Sequence, residues 1–397
     1  MPTLQAPDTL LALSRLPTVA GRERHVIRAL DDWLARRPRL ARTTDDAGNI
    51  LIRVAEAPAS APIIFTAHLD HPGFAIESIA SDHTARLAFR GGVHSHYFNR
   101  ARVILHPADP TSAVAPVRAT IIEHEDPEPP ARPDRIATVL ADESLEGFTS
   151  ADIAVWDLPE PSVDQTGLFH ARVCDDLAAL AAALDALDQL LETDAAPRVG
   201  LLCTRAEEVG FTGAIAACRS GIIPRDARLL ALENSRSFPD SPLHAGPIVR
   251  VGDRISTFSP TLNAAVARCA QRLTGKTDPD VGRPKIEPEA DFKWQRKLMP
   301  GGACEATAFY AFGYEATCLC LPLGNYHNMA GLTEYEQTIR AGDEPRAEIA
   351  REFIALEDYH GLVRLLVACG LDLEAAEPIT DRLEKLYDQR KHILSES

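Results

Sequence analysis

GLLCTRAEEVGFTGA, residues 200–214, runs an apolar, β-like segment into two adjacent glutamates, Glu207 and Glu208, on a glycine-rich turn. Neighbouring residues of a strand point to opposite faces, whereas at a strand-to-helix turn both carboxylates can reach one cleft. Two carboxylates at the mouth of a buried strand ask for a cation, one of them serving as ligand and the other as general base. An EE pair on its own reads as a solvated loop. What overturns that reading is the sequence around it.

Working outward, the same α/β texture continues on both sides. Upstream, GLFHARV (167–173) leads to Cys174, Asp175 and Asp176, and the leucines at 177, 180, 184, 187 and 191 then mark an amphipathic helix. Asp175 and Asp176 therefore stand at a strand-to-helix junction, where one of them is expected as the N-cap. Downstream come a helix in GFTGAIAACRSG, the strand ARLLALE ending at Glu233, a helix near 260–274, a helical ACEATAFYAFG (303–313) and the buried strand TCLCLPL. The exit loop of that last strand, GNYHNM, carries His327. Near the start, residues 22–37 have helical spacing and Pro38 stops them, after which ILIRV and PIIFTAHLD read as strands. His68 ends the second strand. Asp70, two residues on, shares its face if the extended backbone persists and would orient the imidazole.

Between 73 and 166 the texture differs. Short runs such as GFAIESIA, ARLAFRG, VRATIIEHE and ADIAVWDL alternate with Gly, Pro, Asp and Ser clusters, which predicts a small all-β unit. Its HEDPEPPARPDR stretch reads as a loop, and His94 and His96, unaccompanied by a carboxylate, read as solvated. The organisation is thus an α/β unit made of residues 1–72 and 167–397, interrupted by an all-β unit at 73–166. Two helix-like segments, about 345–369 and 373–392, give the C-terminal part (345–397) a helical character.

A formal net charge of −16 argues against nucleic-acid binding, which needs a basic surface, and against anionic membranes. No apolar run is long enough to span a bilayer, and MPTLQAPDTLLALSRLP lacks the features of a secretory signal, so a cytoplasmic protein is expected. The eight cysteines sit mostly in apolar runs without CxxC spacing, which predicts reduced buried thiols.

Position then becomes the argument. His68, Asp175, Glu207 with Glu208, Glu233 and His327 each follow a separate apolar strand, and in open α/β sheets the carboxyl ends of the strands form the ligand crevice. Two histidines and three carboxylates can furnish a two-metal site with one bridging carboxylate. Nitrogen and oxygen donors without thiolate suit zinc, with cobalt and manganese as competitors.

The elements AHLDHPGF, CDD before an apolar helix, AEEVGFTGA and YHN resemble the motif series of the di-zinc exopeptidases, and their order is most similar to the tetrahedral (TET) and glutamyl aminopeptidase group. The resemblance implies a three-layer mixed-sheet α/β catalytic domain with a small β-barrel inserted between the first histidine and the bridging aspartate. It implies that His68 and Glu233 hold one ion, Glu208 and His327 the other, that Asp175 bridges, and that Glu207 is the base. It makes the Asp175–Asp176 peptide bond a candidate for the cis form. The implied activity is release of the N-terminal residue from short peptides by a homo-oligomeric enzyme. A carboxypeptidase or N-acyl amidohydrolase on the same site is the alternative, and a non-catalytic interaction protein the third reading. Departures from the group's pattern are Leu177 in place of arginine, GGACEA (301–306) in place of GGTDA, Glu233 where aminopeptidases of this kind carry aspartate, and the added length past residue 340.

Overall fold

Eight strands form one mixed sheet, in the order Leu40–Thr44, Ile50–Val54, Val199–Thr204, Ile63–His68, Arg228–Arg236, Glu315–Leu323, Ile248–Gly252 and Gln295–Leu298. The structure is a computed structural model and describes residues 5–55, 57, 62–128, 134–275, 291–373 and 379–395. The four strands from Val199–Thr204 to Glu315–Leu323 run parallel, with Thr204 opposite His68, Ala231 opposite Thr66 and Glu233 opposite Cys320. Antiparallel neighbours flank them on both sides. Parallel strands are covered on both faces and need continuous apolar runs. IIFTAH and VGLLCT meet that demand and are buried at every position.

Among the described residues the helices are α1 (Asp8–Leu13), α2 (Arg24–Leu34), α3 (Leu177–Leu191), α4 (Thr212–Ser220), α5 (Pro260–Leu273), α6 (Glu305–Ala311), α7 (Leu332–Ala341), α8 (Leu356–Asp372) and α9 (Ile379–Arg390). Alternation along each strand divides its side chains between two cores. Phe65, Leu201, Leu230 and Leu319 meet α1, α2, α3, α5 and α8 on one face. Ile64, Leu202, Leu229, Cys318 and Cys320 meet α4 and α6 on the other. Helix α3, rich in alanine and leucine, lies between the sheet and α8, so nearly its whole surface is buried.

A closed barrel of six strands occupies the interval after His68: Gly73–Ser81, Thr84–Arg90, Arg135–Ala141, Val117–Glu125, Arg102–His106 and Ile153–Trp156, the last returning to pair with the first. Closure leaves no sheet edge to protect. Phe74, Phe89, Phe98 and Trp156 fill its centre with ring centroids 4.8–5.9 Å apart, mostly edge to face. The barrel strands end at Trp156. Ser162–Val163 instead joins Leu168–Ala171 and Glu352–Ala355 in a separate three-stranded sheet.

That small sheet corrects one expectation. Residues 345–355, read as the start of a helix, contain the strands Glu348–Ile349 and Glu352–Ala355, and α8 begins only at Leu356. The partner that makes Glu352–Ala355 a strand is Leu168–Ala171, remote in sequence and invisible to a local pattern. Of the expected segment 373–392, α9 is the helical part and residues 374–378 lie outside the described residues. Residues 129–133 of the expected HEDPEPPARPDR loop also lie outside them.

Candidate metal centre

The glutamate pair is delivered by a locked turn. After Thr204, Ala206 adopts φ 53°, and the Asp70 carboxylate accepts the N–H groups of Glu207 at 2.9 Å and Glu208 at 3.1 Å. The buried Glu23 accepts from the Ala206 N–H at 3.1 Å and from Arg205 Nε at 2.8 Å. Both glycines of GFTG are required. Gly210 has φ 100°, and a Cβ on Gly213 would lie 2.1 Å from the Arg205 carbonyl oxygen. His68 ends its strand, Glu233 lies within the next, and His327 sits in the loop after Glu315–Leu323 with φ 54°. Asp175 precedes α3, and the Asp175–Asp176 peptide bond is cis.

These side chains converge. His68 Nε2 lies 3.4 Å from Asp175 Oδ1 and 3.8 Å from Glu233 Oε1. His327 Nε2 lies 3.6 Å from Asp175 Oδ2 and 3.4 Å from Glu208 Oε2. Two donors each about 2.1 Å from one ion in tetrahedral array stand about 3.4 Å apart, so each group has the dimensions of a ligand pair. The other ring nitrogens fix the tautomers: His68 Nδ1 is 3.1 Å from the Asp70 carbonyl oxygen and His327 Nδ1 is 2.8 Å from that of Gly92. With those carbonyls accepting Nδ1–H, both Nε2 lone pairs face the cluster. The sequence reading gave the Asp70 carboxylate to the His68 ring. Its oxygen is 3.6 Å away, and its short hydrogen bonds go to the glutamate turn.

Sequence reasoning missed the residues that hold this frame from behind. Glu352 accepts the N–H groups of Cys174, Asp175 and His327 at 2.7, 3.0 and 2.9 Å, tying together the two loops that carry Asp175 and His327. His71 links the Asp175 carbonyl, 2.5 Å from Nδ1, to Asn328 Oδ1, 3.0 Å from Nε2, and burial lowers its pKa to about 4. Asp176 occupies the N-cap position of α3 without capping it: its carboxylate accepts the His68 N–H at 3.2 Å and the Asn234 amide at 2.9 Å. Adjacency to Asp175 and Glu233 was the only sequence signal for Asp176 and Asn234. Glu352 gave none, because its stretch read as helix.

Electrostatics calls for a cation here. Asp175 Oδ1 and Glu208 Oε1 are buried without a hydrogen-bond partner among the described residues. Burial pushes the Glu208 carboxyl up to about 8 and raises Glu207 and Glu233 as well. Burial pulls His327 down, but the Glu208 and Asp175 carboxylates outweigh it and lift the ring to about 10. Buried carboxylates this close cannot all ionise unless positive charge joins them. The nitrogen and oxygen donors, with no thiolate among them, therefore fit divalent ions.

The cluster opens into a cleft of about 490 Å³. Gly92 to His94 wall it from the barrel, Leu332 and Glu336 from α7, and Phe238, Arg250 and Gly302 from the sheet side. His94 thus borders the cleft, while His96 turns to Tyr335. Glu305, of the GGACEA stretch, is buried within electrostatic reach of His68 and Glu233, and burial lifts it to about 7.

The sequence profile of the M42 glutamyl aminopeptidases matches residues 48–282, more than half of the chain. This chain belongs to the M42 glutamyl aminopeptidase family. It is a metal-dependent hydrolase that removes N-terminal residues from peptides. The M42 fold is also found in solved structures. The aminopeptidase APDkam598 of the archaeon Desulfurococcus kamchatkensis superposes with a TM-score of 0.67 at 20% identity, over 90% of this chain and 92% of that one. The TET1 peptidase of Pyrococcus horikoshii gives 0.68 at 20% identity, over 91% and 98%. The TET aminopeptidase of the marine sediment archaeon Thaumarchaeota archaeon SCGC AB-539-E09 gives 0.68 at 18% identity, over 91% and 94%. No curated protein sequence matches this M42 chain. None of its described helices is long and apolar enough to cross a membrane.

Proposed function

We propose that this M42 aminopeptidase works with two divalent ions, zinc foremost, with cobalt or manganese also suited to the donors. His68 and Glu233 would hold one ion and Glu208 and His327 the other, with Asp175 between them. The observation that carries this reading is that Asp175 turns a different oxygen to each histidine, Oδ1 to His68 and Oδ2 to His327. Bound there, the ions would supply Lewis acidity, lowering the pKa of water and polarising the scissile carbonyl.

Glu207 is the general base in this reading. It is buried, borders the cleft beside Asp175 and Glu233, and has its backbone fixed by Asp70. Burial raises its carboxyl, which suits a group that must take a proton from the attacking water and then return it to the departing amine. Asp70 acts through the turn it holds rather than on the substrate.

The substrate we assign is a short peptide with an acidic N-terminal residue. Arg250 lies on the cleft wall, buried, with Nη1 3.1 Å from Ser235 Oγ and Nε without a partner. No carboxylate among the described residues forms a salt bridge with it. A buried guanidinium with no salt bridge among the described residues accommodates a carboxylate from the ligand. Of the inserted unit, 73–166, the barrel that ends at Trp156 would act as a distinct domain that walls the cleft through Gly92 to His94. Relatives described as a dodecamer and as a tetrahedron or octahedral shell support a homo-oligomer. Eight free, buried cysteines support a reducing, cytoplasmic setting.

The test uses a Glu-initiated and a Leu-initiated tripeptide, each free, N-acetylated and C-amidated, with products identified by mass. Cleavage of the free and amidated Glu peptide but not of the acetylated one is expected. In Arg250→Met the advantage of Glu over Leu in kcat/KM should shrink by about 10- to 100-fold, the worth of one charged hydrogen-bonded contact. Loss of a C-terminal residue, or release of acetate, would sink the N-terminal direction, and an unchanged Glu-to-Leu ratio would remove Arg250 from specificity.

A further inference from the structure

Helix α7 starts directly after the His327 loop and buries only Leu332 and Tyr335, both against the barrel core. It is nevertheless fastened on both sides of the cleft. Towards the barrel, the Tyr335 ring stacks on His94 with centroids 5.0 Å apart, and its hydroxyl lies 2.9 Å from His96 Nδ1. Tyr97 also donates its hydroxyl to the Ala330 carbonyl at 2.8 Å, holding the approach to the helix. Towards the sheet, Arg236 grips the Glu336 carboxylate with both terminal nitrogens, at 2.7 and 3.2 Å, and donates to Thr333 Oγ1 at 2.8 Å. A planar two-point pair of this kind fixes geometry as well as charge.

Direction follows from the two ends of the site. Arg250, the group assigned to the acidic side chain of the first residue, belongs to the side of the cleft that carries Glu233, because its Nη1 lies 3.1 Å from the Oγ of Ser235 on the same strand. The remainder of the peptide then runs towards His327, Met329 and Leu332, where α7 stands. We propose that α7 is the wall that ends the cleft on the leaving-group side and restricts the enzyme to peptides of about three residues, the length that a cleft of this size encloses. The Arg236–Glu336 pair and the Tyr335 contacts are the two fastenings of that wall. The proposal rests on the aminopeptidase reading and on Arg250 as the reader of the first side chain.

The experiment compares kcat/KM for Glu-initiated peptides of two, three, five and eight residues, and for the N-acetylated tripeptide, with the metal-loaded full chain and three variants. The wild type should lose about tenfold or more between the tripeptide and the octapeptide, a difference of about 1.4 kcal/mol. Glu336→Ala and Tyr335→Ala each release one fastening and should cut that loss to less than about threefold, chiefly through KM, while Glu336→Gln, whose amide accepts only one of the two Arg236 hydrogen bonds, should fall between Glu336→Ala and the wild type. Thermal melting of each variant reports folding, and Glu336, half-exposed on the outer turn, keeps the test alive if Tyr335→Ala fails to fold. A wild type that cleaves the octapeptide as well as the tripeptide, or variants whose length profiles run parallel to it, would overturn the wall. Attack on acetylated tripeptides with no attack on free ones would overturn the substrate direction instead, and the two failures are told apart by that single arm.

Discussion

At the scale of single residues, the centre depends on neighbours that share a backbone but not a task. Glu207 and Glu208 both donate their backbone N–H to Asp70, yet Glu208 Oε2 stands 3.4 Å from the His327 ring, whereas Glu207 faces the cleft. Glu207→Gln should therefore lower kcat by about 10²- to 10⁴-fold, the usual span for a general base, with both ions retained. Glu208→Gln should lose one ion as well. Elemental analysis beside steady-state kinetics separates them, and metal loss in the Glu207 variant alone would reverse the two roles.

At the scale of elements, the C-terminal region divides into a part that builds the centre and a part that does not touch it. The strand Glu352–Ala355 brings the Glu352 carboxylate under the Asp175 and His327 backbones, and α8 then packs on α3. Helix α9 instead leaves Leu383, Leu386 and Tyr387 exposed, each at 50% or more. Glu352→Gln should weaken metal binding by about 10- to 100-fold, the range seen when a group behind a ligand is lost. A chain ended after Leu373 should keep the kcat/KM and melting temperature of the parent. Isothermal titration with zinc and a thermal melt check the pair of expectations, and a collapse of the shortened chain would place α9 in the fold.

At the scale of the whole molecule, a chain of net charge −16 gathers buried carboxylates at one point of its sheet. Without cations their mutual repulsion works against the folded state, and ions that bind only that state stabilise it by mass action. Chelation should abolish hydrolysis and lower the melting temperature. Restoring metal at about 100 times its dissociation constant should return about 2.7 kcal/mol. Calorimetry with and without chelator, beside metal counts per chain, is the check, and an identical melt in both states would contradict an ion seated among these groups.

The sequence by itself determined the class of fold. Continuous apolar runs in IIFTAH and VGLLCT, short and bounded by turn residues, fit strands covered on both faces, and the interval after His68 broke into the short alternating segments of an all-β unit, which the tertiary structure closes as a barrel. It also placed His68, Glu207, Glu208 and His327 just past strands of the main sheet, because one-dimensional order and the carboxyl-end rule suffice for that, whereas Glu233 lies inside its strand, Arg228–Arg236, and the strand before Asp175 belongs to the small sheet. Pairing across long separations is where local pattern stops. Glu352 became part of the site only through a strand bonded to Leu168–Ala171, and Asp70, 3.6 Å from the His68 ring, accepts its short hydrogen bonds from the glutamate turn that the pairing of Thr204 with His68 brings beside it. Arg250 and α7 acquire their meaning only in the cleft. A guanidinium is read as free of salt bridges among the described residues, and a helix as a wall, from what the tertiary structure places around them, since charge balance and enclosure are properties of three-dimensional neighbours.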